Sequence, residues 1–215
     1  MSTKKRVYIP KNKTNGQIKG KRKIWVENVK FLTLEEYDQL RETIKLHSRP
    51  ELVNRNLLLI AIALNNGLRA SDVVTLRVGH VLNKTKTRVI EQKTGKAKTL
   101  FWNNCLAEII DYLNDLNYKD ENDYLFPGKQ EGHFSVQGFY EMLQRVAGKT
   151  ENNNIVAKIG THPFRKTFGR QLYKKGVNVE IISQLFNHSS ERNTRHYLGI
   201  EQEDLDKVVQ NFKFE

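Results

Sequence analysis

Thr87-Arg88-Val89-Ile90-Glu91-Gln92, then Lys93-Thr94-Gly95-Lys96, then Ala97-Lys98-Thr99-Leu100-Phe101 is the one stretch of this 215-residue chain that reads as β-structure. Two runs of strand-forming residues flank a short turn containing glycine, the pattern of an antiparallel hairpin. On both sides of it the apolar spacing is helical. Upstream, Thr33 with Glu36 three residues later forms a capping box that opens a helix over 34–46, with Leu34, Tyr37, Leu40 and Ile44 on one face. A second helix, 51–66, carries Leu57, Leu58, Ile60, Ala61 and Leu64, reads as buried, and stops at Asn65-Asn66-Gly67. A short helix with Ser71 as its cap follows. Downstream, helices are expected over 104–116, over 135–147 with Ser135 as cap, from Pro163 to Lys175 with Gly176 as the stop, and over 179–186 with Asn178 as cap. A last turn or helix surrounds Arg195 to Gly199. The fold class is mostly α with a small antiparallel β-sheet. One compact domain, 31–200, lies between a basic arm, 1–30, and a C-terminal tail, 201–215.

Charge narrows the range of partners. The 36 Lys and Arg outnumber the 24 Asp and Glu, for a net charge of +12. A polyanion is therefore the first partner to consider. The excess is concentrated: residues 1–30 hold ten bases, among them Lys4, Lys5, Arg6, Lys21, Arg22 and Lys23, against Glu27 alone. Such a segment is either a disordered solubilising tail or a flexible arm that tracks DNA phosphates, and charge does not choose between them. On charge alone nucleic acid and an anionic membrane surface both qualify; no apolar run approaches the ~20 residues of a membrane span, and no membrane partner is expected. The basic start has no apolar stretch behind it and does not read as a secretory signal. The single cysteine, Cys105, allows neither an internal disulfide nor a multi-cysteine zinc site, which fits a reducing, cytoplasmic setting.

Several chemically versatile residues fall at turns and helix ends, where side chains can converge. Arg69 and Asp72 lie in Gly67-Leu68-Arg69-Ala70-Ser71-Asp72, directly after the buried helix. Lys93 is at the hairpin tip. His162 and Arg165, three apart in Thr161-His162-Pro163-Phe164-Arg165, share one face of a first helical turn. His188 lies between two short helices, and Tyr197 follows nine residues later in Thr194-Arg195-His196-Tyr197-Leu198-Gly199. No carboxylate pair, Gly-rich phosphate loop or Ser-His-Asp order competes with this set. His162, His188 and His196 lack the i, i+4 spacing of a zinc helix, and no metal site is expected. Two guanidinium groups can neutralise a pentacoordinate phosphorus, a phenol can be the nucleophile, and Lys and His can move protons. The chemistry this set suits is phosphoryl transfer without a metal.

In order and spacing, Arg69, Lys93, His162, Arg165, His188 and Tyr197 resemble the catalytic set of the tyrosine recombinase, or phage integrase, family. Gly67 to Asp72 is similar to its first arginine box, Glu91-Gln92-Lys93-Thr94-Gly95 to its hairpin lysine, Thr161 to Arg165 to its His-x-x-Arg box, and Leu185 to Tyr197 to its His-to-Tyr run. The likeness spans 31–200 and implies the family's catalytic domain. It also implies the roles. Tyr197 would attack the scissile phosphate and become a 3′-phosphotyrosine, with Arg69, Arg165 and His188 on the nonbridging oxygens. Lys93 would protonate the leaving 5′-oxygen, His162 would assist proton movement at the tyrosine, and Asp72 would support Arg69 or a neighbouring base from behind. No cofactor, neither ATP nor metal, is implied. The short architecture resembles the recombinases of fimbrial phase switches, and Asn187 stands where the family usually has Gly.

Double-stranded DNA is the partner this resemblance implies, bound by a homo-tetramer on paired sites, with accessory DNA-bending proteins as helpers. In the tail, Leu205, Val208, Val209 and Phe212 form an apolar stripe suited to docking on the chain's own domain or on a neighbouring subunit. The activity expected is site-specific recombination: integration, excision, inversion or resolution. The alternative is a recombinase-derived DNA-binding transcriptional regulator that no longer cuts.

Overall fold

The structure is a computed structural model that describes residues 31–129, 131–160, 162–188 and 190–200, together with Gln210. The expected basic arm, including Lys4, Lys5, Arg6, Lys21, Arg22 and Lys23, lies outside the described residues, as does the apolar stripe of the tail.

Helix α1 (Leu34–His47) starts as its sequence dictates. The Thr33 hydroxyl accepts from the Glu36 amide, and the Glu36 carboxylate accepts from the Thr33 amide at 2.8 Å. Its buried face carries Tyr37, Leu40 and Ile44. Helix α2 (Val53–Asn65) follows a 3-10 turn at Pro50–Leu52 and is buried without a break from Asn56 to Ala63. A helix apolar all round must be wrapped by others. Around it pack α1, the short α3 (Ala70–Val74), α4 (Leu106–Asp115) and α7 (Pro163–Lys174). Helices α5 (Val136–Ala147) and α6 (Asn153–Lys158) extend this core.

The expected hairpin is present, and it is the only sheet among the described residues. Strands β1 (Lys86–Ile90) and β2 (Ala97–Phe101) pair antiparallel, with Val89 opposite Lys98. Asn66, at the end of α2, both accepts from the Phe101 amide (2.8 Å) and donates to the Phe101 carbonyl (3.1 Å). The hairpin is thereby anchored to the buried helix, next to the Arg69 corner.

Beyond α7 the chain builds a smaller apolar cluster. Ile182 in α8 (Val179–Leu185), Phe186 and Leu198 in α9 (Glu191–Leu198) are fully buried, with Phe168 and Leu172 of α7 packed against them. Gly169 makes the close approach possible: a Cβ there would sit 2.8 Å from both Leu198 and Phe186.

Three local expectations need correction. The N-cap of α3 is Arg69, in extended backbone, and Ser71 lies inside the helix. Helix α6, capped by the Asn152 side chain, was not anticipated, because six residues are too few to display a helical period. Helix α9 begins at Glu191, earlier than the expected turn around Arg195 to Gly199; among its described side chains Thr194 and Leu198 are the buried ones, too narrow a stripe to read as amphipathic.

Candidate active site

Two tight local geometries bring the two arginines together. Gly67 leaves α2 with φ at +56°, a left-handed backbone that glycine adopts at little cost, and its carbonyl then faces α7. Pro163 opens α7 at its first position, where a missing amide proton costs nothing, so Arg165 sits in the first turn. Arg165 is only 2% exposed. It donates to the Gly67 carbonyl and to the Phe186 carbonyl, each at 2.7 Å, and its guanidinium lies 4.2 Å from the Phe186 ring centre. Burial, with the nearby Arg69 charge, lowers its pKa to about 10, and it stays cationic at neutral pH.

Carboxylates balance this charge. Glu91 is fully buried, with one oxygen 3.0 Å from an Arg69 terminal nitrogen and 3.6 Å from one of Arg165. Its other oxygen accepts from Thr94 at 2.8 Å and from the Asn187 amide at 2.9 Å. Burial works to raise the Glu91 pKa, but the hydrogen bonds from Asn187 and Thr94, with the Arg69 guanidinium beside it, outweigh it and hold the carboxyl below its usual value. Asp72 lies 3.8 Å from Arg69 and accepts from the Gln92 amide at 2.9 Å; burial, aided by Glu91, raises its pKa.

Facing the arginines are the two histidines and the tyrosine. Tyr197 packs edge-on against Phe186 and His188, with ring centres 5.6 and 5.4 Å apart. Its hydroxyl is buried without a well-formed hydrogen bond. Burial pushes the phenol to about 12 against the pull of Arg165 and Arg69. His188 Nδ1 is 2.9 Å from the hydroxyl of the fully buried Thr194. His162 Nδ1 is buried with no hydrogen-bond partner among the described residues. Burial, then the charges of Arg165 and Arg69, lowers both imidazoles to about 4, so both are neutral at pH 7.

Arg69, Asp72, His162, Arg165, His188 and Tyr197 thus share one buried cleft. Lys93 does not enter it: the residue is exposed on the hairpin turn, although its charge is felt at His162. The lysine inside is Lys98, whose Nζ is buried without a hydrogen-bond partner among the described residues. Burial, then Arg165, lowers it to about 8. Sequence reading missed Lys98, the role of Glu91 and Thr194. For Lys98 the signal was the strand register, since a residue opposite Val89 shares its face.

The cleft offers two fixed guanidiniums, neutral imidazoles and a desolvated phenol, a setting for in-line displacement at a phosphodiester. Residues 30–203 match the model of the phage integrase family. The probable integrase/recombinase YoeC of Bacillus subtilis strain 168 is 32% identical over 151 residues, covering 69% of this chain and 80% of that protein. Tyrosine recombinase XerD of Mycobacterium leprae is 26% identical over 190 residues, covering 83% of this chain but 59% of its own length. Among solved structures, the XerH recombinase in a post-cleavage complex with palindromic difH substrate has the same fold, with a TM-score of 0.68, 21% identity and coverage of 84% of this chain and 52% of that one. The catalytic domain of bacteriophage HP1 integrase, 20% identical with a TM-score of 0.53, is covered over 95% of its length and matches 85% of this chain. The expected fold, that of a tyrosine recombinase catalytic domain, is the fold observed. With most of its residues inside the matching model and the fold to accompany it, the chain belongs to the phage integrase family.

Proposed function

We propose that this protein is a site-specific DNA recombinase that cleaves and rejoins DNA through a covalent bond to Tyr197. The observation that carries the reading is the convergence of Arg69, of Arg165 with His162, of His188 and of Tyr197 from four separate parts of the chain, with both arginine charges and the His188 ring acting on the Tyr197 phenol. In the proposed step the Tyr197 oxygen forms a bond to phosphorus, the bond to the 5′-oxygen breaks, and a 3′-phosphotyrosine and a free 5′-hydroxyl result. Arg69 and Arg165 hold the nonbridging oxygens as negative charge accumulates there. In the tautomer proposed, the Thr194 hydroxyl donates to Nδ1 and the neutral His188 carries its proton on Nε2, from which it donates to the same phosphate. The unprotonated His162 accepts the phenolic proton, directly or through water, as the high phenol pKa demands a base. The leaving oxygen takes its proton from a hairpin lysine. Asp72 orients Arg69.

The partner proposed is double-stranded DNA, with the basic arm on its phosphates. One chain offers one nucleophile and exchange requires four breaks, so the working unit proposed is a tetramer on two sites. An apolar recess of about 360 Å³ beside His162 and Arg165, rimmed by the partly exposed Val136 and Tyr140, is of a size to take side chains of a neighbour's tail stripe. Truncation after Gln202 is then expected to leave DNA binding intact and abolish its cooperativity.

The test of the cleavage reading is covalent capture. The protein is incubated with a randomised library of nicked duplexes, adducts are collected after denaturation in SDS, and the trapped DNA is sequenced. The expected result is an adduct on a recurring sequence, absent with Tyr197→Phe. Specific binding without any adduct would instead identify the silent regulator.

A further inference from the structure

Glu91 and Asn187 take no direct part in the proposed cleavage step. A fully buried carboxylate stands between the two phosphate-binding arginines, and a side chain from the far side of the cleft holds it there. Asn187 also has φ at +52°, the left-handed region where glycine is the cheapest residue and asparagine the usual substitute. A glycine would satisfy that backbone but carry no amide. The asparagine spans from the His188 turn to the hairpin turn, donating to the same Glu91 oxygen that Thr94 reaches.

We propose that Glu91 is a positioning residue for strand cleavage and that Asn187 acts through it, fastening the hairpin, the Arg69–Arg165 pair and the His188 turn into one unit. Two guanidiniums brought close together repel each other, and before DNA arrives the Gly67 and Phe186 carbonyls fix Arg165 but do not neutralise that repulsion; a carboxylate between the pair does. The Glu91 carboxylate supplies that charge. Its own geometry is set from the opposite side by Asn187 and Thr94, so a shift of the His188 turn is transmitted to both arginines. The ionisable groups facing Glu91 are Arg69 and Asp72 from the α3 corner, Lys98 from β2, Arg165 from α7 and His188 from the turn after α8. A buried ion pair of this kind is poor evidence of added stability, but fixing the geometry of a site is the use it fits.

The inference rests on the recombinase reading, so the wild-type adduct and its loss in Tyr197→Phe are established first, on the duplex recovered by covalent capture. Asn187→Gly keeps the backbone and removes the amide. It is expected to slow single-turnover cleavage about ten-fold, the scale of one lost hydrogen bond to a charged group, with DNA affinity as in wild type and the melting temperature lowered by no more than that one lost bond. Asn187→Asp sets a second carboxylate against Glu91. Its rate relative to wild type is expected to fall further near neutral and alkaline pH and to recover as the pH is lowered, where such a pair shares a proton and the bridge reforms. Taking the ratio to wild type removes the titration of Lys98 and the histidines. A merely structural asparagine would show no such recovery. In a Glu91→Ala background, Asn187→Gly is expected to have no further effect; if Glu91→Ala does not fold, the Asn187 pair decides alone. Wild-type cleavage by Asn187→Gly, a pH-independent ratio for Asn187→Asp, or additive losses in the double variant would overturn the inference and leave the recombinase reading standing. Failure to trap any wild-type adduct would remove both.

Discussion

Arg165 donates at 2.7 Å to the carbonyl of Gly67, a residue 98 positions earlier in the chain and two before Arg69. The bond ties the corner that carries one arginine to the side chain of the other. A lysine could replace the charge of Arg165 but has a single point of donation, and it cannot reach the Gly67 and Phe186 carbonyls together. Arg165→Lys is therefore expected to lower the rate of adduct formation on the order of 10²–10³-fold, the scale for losing one fixed oxyanion donor. It is also expected to destabilise the fold by about 1–3 kcal/mol through the carbonyl left unpaired. Adduct assays and denaturant melts check the two parts separately. The same assay in EDTA, without nucleotide, is expected to proceed; an absolute magnesium requirement would contradict the role given to the arginines.

Two hairpin lysines compete for the proton donated to the leaving oxygen. Lys93 matches the family pattern, whereas Lys98 is the one with its amine inside the cleft and a pKa near 8. The true donor is identified by a substrate whose leaving oxygen is replaced by sulfur, which departs without protonation. Lys93→Ala is expected to slow the oxygen substrate strongly and the sulfur substrate little, with the hairpin turn closing over DNA. If that selective rescue appears in Lys98→Ala instead, the assignment passes to Lys98. In that event wild-type cleavage should fall as pH rises through about 8.

The buried histidines make stability fall in acid. His162 and His188 titrate near 4 in the fold, against a usual value of 6.5. Between those values the unfolded chain binds more protons, so stability is full above about 6.5 and declines as pH drops toward 4. The combined loss should be on the order of 1–3 kcal/mol after allowance for partial solvent access. Melts of a His162→Gln, His188→Gln double variant are expected to show a shallower slope over that window than wild type. Equal slopes would mean the imidazoles are better solvated than the fold suggests.

Deleting residues 2–23 distinguishes an arm from a tail. A phosphate-tracking arm contributes to every duplex alike, so its loss should weaken binding to all sequences and reduce the log–log salt slope by roughly 0.9 per lost contact. An unchanged slope identifies a solubilising tail.

What the sequence by itself determined is local. The Thr33 and Ser135 caps, the glycine stops at Gly67 and Gly176 and the hairpin turn each depend on residues within a few positions of one another, and the order of Arg69, His162, Arg165, His188 and Tyr197 is read along the chain from the short motif around each. Short-range hydrogen bonds and turn angles are set by near neighbours, which is why they can be read from the chain. What the tertiary structure decided is which polar groups lose water and whom they then face. Of three lysines at 93, 96 and 98, only the last has its amine buried, because strand register places it opposite Val89. Glu91 becomes the carboxylate between two arginines only once Asn66 pins the hairpin to α2 and α7 brings Arg165 across. Asn187 acquires a role only when α8 delivers it to that carboxylate. Desolvation and charge pairing are sums over everything within a few ångströms, and partners almost a hundred residues apart leave no periodic trace in the sequence.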